Sequence, residues 1–288
     1  MIHIYEKVIK DEKYQYGIKE IIDENPFEYP CIITLIAIPD KLKYINGALR
    51  IVANLVNPQI DIEYNPNKRI LGLGYGNYRN PTLNEIDEFI DKYFYPLFTE
   101  DNKKIDILKV MRNFRNITFL TYCNGARNYK LIENALKKKM TDIGYEVNEI
   151  KLILSQICLV SLTGNIIKSV GTDTTCISFG DIYDEKYEAD PKTIIDILNK
   201  NSKIDYLYVN YESLIGFVTA RCEDGDLYRY MFNDPVITPR IKAVLNASLE
   251  NAIDNRDNDI FNPITYSKIE EVLEDKKVLK KTLKENVL

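Results

Sequence analysis

Residues 116–139, NITFLTYCNGARNYKLIENALKKK, decide how this chain folds. Ile117 to Tyr122 is an uncharged run of β-branched and aromatic residues, the pattern of a strand covered on both faces. Cys123, Asn124 and Gly125 interrupt it, and the stretch from Ala126 to Met140 reads as a helix. A buried strand feeding directly into a helix is the repeating unit of a parallel α/β sheet.

Working outward, the same unit recurs on both sides. CIITLIAI (31–38) is a continuous apolar run, and Pro39-Asp40 then opens a helix carrying Leu42, Ile45, Leu49, Val52 and Val56 on one face. RILGLGY (69–75) is a second buried strand. The helix after it starts with Thr82 and Glu85 in capping-box spacing and continues as a stripe of Leu83, Ile86, Phe89, Ile90 and Phe94. DILKVMRNF reads as a short helix leading back to the opening stretch. Downstream, ICLVSL (157–162), TTCISF (174–179) and DYLYVNY (205–211) read as strands, and Asp190-Pro191 as the cap and first turn of an intervening helix. Asp224-Gly225 between two alternating runs signals a late β-hairpin, followed by a helix over roughly 237–253. At the amino end, YGIKEIIDENP reads as a short helix stopped by Pro26.

The expected fold is therefore α/β, three-layered, with a mostly parallel sheet, helices on both faces, a late β-hairpin and a C-terminal helix. Strands 31–38, 69–75, 116–122, 157–162 and 204–211 are expected in one sheet. Residues 1–263 form the principal domain and 264–288 a helical extension. That extension places Ile269, Val272, Leu273, Leu279 and Leu283 near one face, to dock on its own chain or to pair two copies in a homo-oligomer.

Composition narrows the chemistry. Of 288 residues, 45% are apolar and 28% charged, which is ordinary for a globular protein. The net charge of −5 is spread along the chain, so no nucleic-acid or membrane surface is expected. No apolar run approaches the ~20 residues that span a bilayer, and the amino end lacks the pattern of a secretory signal, so a cytoplasmic location is expected. The five cysteines have no C-x-x-C spacing and read as buried reduced thiols. The chain has one histidine, His3, expected on a mobile terminus. A positioned imidazole base or a histidine-containing metal site is accordingly not expected.

Two stretches could carry chemistry. Gly72, Gly74 and Gly76 close the strand at 69–75, but Asn77 breaks the G-x-G-x-x-G spacing of a dinucleotide loop. The glycines allow either close approach of a nucleotide or methyl donor to the backbone, or a close internal crossing at the sheet edge. No other cofactor is expected. DNRDNDIFNP lacks the central glycine and final glutamate of a calcium loop, so no metal site is assigned.

The second stretch is Thr121-Tyr122-Cys123-Asn124-Gly125-Ala126. It resembles the nucleophile elbow of the α/β-hydrolase family, G-x-[Ser/Cys/Asp]-x-G-[Gly/Ala], with Thr121 in place of the first glycine. The resemblance extends over residues 30–210 in the order of strands and helices. It implies a nucleophile at Cys123, backbone N–H donors at Asn124 and Gly125, and a triad acid at Asp181 or Asp184. It also implies a histidine after the last strand, where the chain reads Glu212-Ser213-Leu214 instead. The expectation is a non-catalytic or highly diverged hydrolase-like protein that binds a partner or small ligand. The alternatives are a cysteine-dependent acyl hydrolase or transferase using Cys123, and a nucleotide or methyl-donor binder using Gly72–Gly76.

Overall fold

The computed structural model describes residues 1–8, 17–35, 42–56, 69–75, 80–122, 125–162, 172–180, 204–208 and 237–254. In chain order the elements are β1 (His3–Lys7), β2 (Ile18–Ile21), a 3-10 turn (Pro26–Glu28), β3 (Cys31–Leu35), α1 (Leu42–Val56) and β4 (Arg69–Gly74). Then come α2 (Leu83–Phe89), a π turn (Ile90–Phe94), α3 (Tyr95–Phe98), β5 (Thr99–Glu100), β6 (Lys103–Lys104) and α4 (Ile107–Arg115). The remainder is β7 (Ile117–Tyr122), α5 (Gly125–Ile143), α6 (Val147–Leu154), β8 (Cys158–Leu162), β9 (Thr175–Gly180), β10 (Ile204–Tyr208) and α7 (Ile237–Asp254).

Eight of these strands form one sheet in the order β10-β9-β8-β7-β3-β4-β1-β2. The six from β10 to β4 are mutually parallel, as their continuous apolar runs predict. β1 pairs antiparallel with both β4 and β2. The chain winds from β3 to β4 in one direction and from β7 through β8 to β10 in the other. With right-handed crossovers, this reversal puts the helices on opposite faces. Between β3 and β7 lies the switch point, where the loops after the two strands part company.

Two cores follow. On one face, Ile33, Leu35, Leu71, Phe119 and Leu159 pack under α2, α4, α5 and α6. Phe27, Phe89, Phe94, Phe98 and Phe114 fill that core, with tilted and edge-on rings 4.8–6.4 Å apart. On the other face, Ile32, Ile70, Leu120 and Val160 meet α1 and α7. The Leu42–Val56 helix buries Ile45, Leu49, Val52 and Val56 of the face that its periodicity predicts, but Leu42, at its first turn, is exposed, as is Leu83 at the start of the stripe that follows β4.

Several local expectations change. YGIKEIIDENP is not a helix: its centre, Ile18–Ile21, is the edge strand β2, because pairing with β1 overrides a weak local preference. The 83–98 helix holds its Thr82–Glu85 capping box but passes through a π turn before Pro96, whose nitrogen carries no hydrogen to donate. Asn25 Nδ2 donates to the Tyr93 carbonyl of that turn at 2.8 Å. β1, the β5–β6 pair and α6 add to the elements that the sequence pattern marks. The expected late hairpin around Asp224-Gly225, the helix at Asp190-Pro191 and the 264–288 extension lie outside the described residues. No described helix is long and apolar enough to cross a membrane.

Candidate functional site at the carboxyl edge of the sheet

Open parallel sheets bind ligands beyond the carboxyl ends of their strands, at the switch point. Here that point is bounded by the last residues of β3 and β7, with Leu35 in register with Thr121. β7 ends at Tyr122 and α5 begins at Gly125. Cys123 and Asn124, between them, lie outside the described residues, as do Gly76 and Asp181 with its alternative Asp184.

Gly125 has a clear local reason. A Cβ there would collide with the carbonyl oxygen of Leu35, so the start of α5 can press on the end of β3 only through glycine. Gly72 and Gly74 face the other side. A Cβ on Gly72 would lie 3.0 Å from Ile45 and 3.2 Å from Leu49; one on Gly74 would lie 2.7 Å from Tyr5 and 3.0 Å from Ile45. Packing of α1 and Tyr5 thus accounts for both glycines, in the manner of a close internal crossing.

The residues that sequence reasoning passed over are polar. Among the described residues, the buried side-chain oxygens without a hydrogen-bond partner are Thr34 Oγ1, Asn46 Oδ1, Thr121 Oγ1, Asn128 Oδ1 and Ser161 Oγ. Thr34, Thr121 and Ser161 are each the penultimate residue of a parallel strand, namely β3, β7 and β8. Asn46 and Asn128 stand near the starts of α1 and α5, the helices that follow β3 and β7. All five therefore gather on the carboxyl edge. Thr34 lies on the α1 face, lining a small void with Ile45, Ala48, Leu49, Gly72 and Leu73. Thr121 and Ser161 sit side by side in register, two residues beyond Phe119 and Leu159 and so on the same, α5 face. A hydroxyl one place before the end of CIITL, ITFLTY and CLVSL was the available signal.

Around them runs a bonded polar band. Asn128 Nδ2 donates to the Tyr75 hydroxyl, and the hydroxyls of Tyr129 and Thr174 share a hydrogen bond. Burial pushes the Tyr75 phenol up, so it stays neutral and serves as a hydrogen-bonding group. Further along α5, buried Glu133 accepts from Thr172 Oγ1 at 2.9 Å and from the Asp173 backbone at 3.0 Å. Lys130 and Lys137 close on the same carboxylate at 3.2 and 2.6 Å. This clamp ties the approach to β9 onto α5.

The histidine is not on a mobile terminus but in β1, paired opposite Gly74 at the carboxyl edge. Its Nδ1 meets Glu20 Oε1 at 2.5 Å. It belongs to the face carrying Tyr5 and α1, and β4 and β3 separate it from β7. Three strand spacings amount to roughly 14 Å, beyond any direct contact with the β7–α5 corner. Cys31 and Cys158 are free and buried, and burial pushes both thiols up to about 12, leaving them protonated and inert. Among the described residues, no group of three or more His, Cys, Asp or Glu side chains converges as a metal site.

No protein-family model matches the chain, and no curated protein matches it.

Proposed function

We propose that this protein is a highly diverged, non-catalytic α/β-hydrolase-like protein that binds a small ligand at the carboxyl edge of its sheet, over the β3–β7 switch point. The single observation that carries this is that five partnerless buried oxygens lie at that end of the sheet, Thr34 and Asn46 on the α1 face and Thr121, Asn128 and Ser161 on the α5 face. A buried oxygen left without a partner costs about 1–3 kcal/mol. Five of them along the edge where open α/β sheets bind ligands are best explained by groups kept for a ligand.

The position of the lone imidazole favours this function over the cysteine hydrolase. A thiol nucleophile at Cys123 needs a base within hydrogen-bond reach, and His3 lies in β1, with β4 and β3 between it and β7, and is engaged with Glu20. A helix end alone lowers a thiol pKa but supplies no proton donor for the leaving group.

Two measurements test the proposal. The full chain should hydrolyse 4-nitrophenyl acetate no faster than its Cys123→Ala variant; turnover that this variant loses would establish the hydrolase instead. In a fragment screen read by backbone amide chemical shifts, perturbations should concentrate at Leu35, Thr121, Gly125 and Ser161. Shifts confined to the amino ends of the strands would place the ligand elsewhere.

A further inference from the structure

Resting on that carboxyl-edge site, we infer that the ligand is anchored by an oxyanion, a carboxylate or phosphoryl group, held at the first turn of α5 by Thr121, Ser161 and Asn128. α5 runs 19 residues from Gly125 to Ile143. The first turn of any helix presents N–H groups with no intrahelical partner and the positive end of the macrodipole. An acidic side chain in the first turn commonly answers that charge, and here there is none. Arg127, exposed in this turn, adds to the positive potential.

The side chains supply the second, independent indication. Thr121 and Ser161 are wholly buried and Asn128 is 2% exposed, yet each carries an oxygen without a partner. Helical side chains lean toward the amino end, so the Asn128 amide lies over the first turn of α5, where it meets Tyr75. Because a tyrosine hydroxyl both donates and accepts, that amide can turn over. Its oxygen then accepts from Tyr75, and its NH2 donates to an anion.

Thr121 and Ser161 add two hydroxyl donors from adjacent strands on the same face. The set consists of neutral donors beside a positive helix end. Lysines 130 and 137, further along the helix, are committed to Glu133. Such a set suits an oxyanion better than a cation or an apolar group.

The test uses the full chain titrated separately with sodium acetate and with inorganic phosphate, followed by the amide resonances of Gly125 and Ala126. One of the two anions should give saturable shifts, acetate pointing to a carboxylate ligand and phosphate to a phosphoryl one. Thr121→Val and Ser161→Ala should each weaken that binding about tenfold, the loss of one hydrogen bond to a charged group. Their melting temperatures should stay the same or rise, because an unbonded hydroxyl is removed; weakened binding is then not a folding defect. Saturation that both variants leave unchanged would overturn the assignment of the anchor. So would an edge that responds only to neutral fragments, although the ligand site itself would then stand. An edge that responds to no probe would overturn both.

Discussion

Gly125 is the residue on which the β3–α5 junction turns. Its missing Cβ lets the helix start touch the Leu35 carbonyl, and that obstacle is backbone, which no change of rotamer can move aside. Gly125→Ala should therefore destabilise the fold by at least about 1–3 kcal/mol, the usual range for overpacking a tight site. A lower urea midpoint with an unchanged slope is the expected signature; an unshifted midpoint would mean that α5 can slide outward at no cost. The contrast with Gly72 and Gly74 is instructive. There the neighbours are the side chains of Ile45, Leu49 and Tyr5, which have rotamers in which to yield.

At the scale of the element, the helix after β4 shows how a local motif survives inside an irregular whole. Thr82 Oγ1 accepts from the Glu85 backbone, while Glu85 Oε2 accepts from the Thr82 backbone at 2.9 Å. The Thr82 backbone N–H, followed by the Met1 amino group, holds the Glu85 carboxyl at about 2, against an ordinary value of 4.5. A depressed carboxyl contributes stability that is present above its ordinary pKa and lost as pH falls toward the folded value. Glu85→Gln should accordingly cost about 1 kcal/mol at pH 7, as the loss of a helix cap does, and progressively less between pH 4.5 and pH 2. Thermal melts of the two proteins across that range should converge. A constant gap would point to the amide geometry rather than the charge.

At the scale of the molecule, the antiparallel β1–β2 pair is joined to the parallel sheet by ions as well as by backbone. Arg69 Nε and Nη2 donate to the two carboxylate oxygens of Glu6 at 2.6 and 2.9 Å, and both side chains are almost fully buried. Glu24 at 2.9 Å from Arg69 and Lys19 at 3.2 Å from Glu6 extend the network toward solvent. Removing one partner of a buried pair strands the other charge. Glu6→Ala should cost about 3–5 kcal/mol in urea unfolding, and the β1 amides should lose hydrogen-exchange protection before those of β7. A cost below about 1 kcal/mol would show that Glu24 alone satisfies Arg69.

What the amino-acid sequence determined by itself was the part that depends on near neighbours. The runs at 31–35, 69–74, 117–122 and 158–162 are nearly continuous in apolar residues and bounded by helical stretches, the pattern of interior strands in a helix-covered parallel sheet. The α1 stripe and the Thr82–Glu85 cap follow from spacing within one or two turns. The single histidine restricted the chemistry before any fold was known. Tertiary structure alone decided everything that depends on distant partners. Ile18–Ile21 became a strand because β1 lies beside it. Gly72 and Gly74 stand where α1 and Tyr5 press close, and His3 is kept from the β7–α5 corner by two intervening strands, β4 and β3. Thr34 on one face, and Thr121 and Ser161 on the other, far apart in sequence, came to the same end of the sheet when their strands aligned. The physical reason is range. Side-chain periodicity and capping act over a few residues, whereas register, crossover direction and the juxtaposition of strand ends exist only once the sheet has closed.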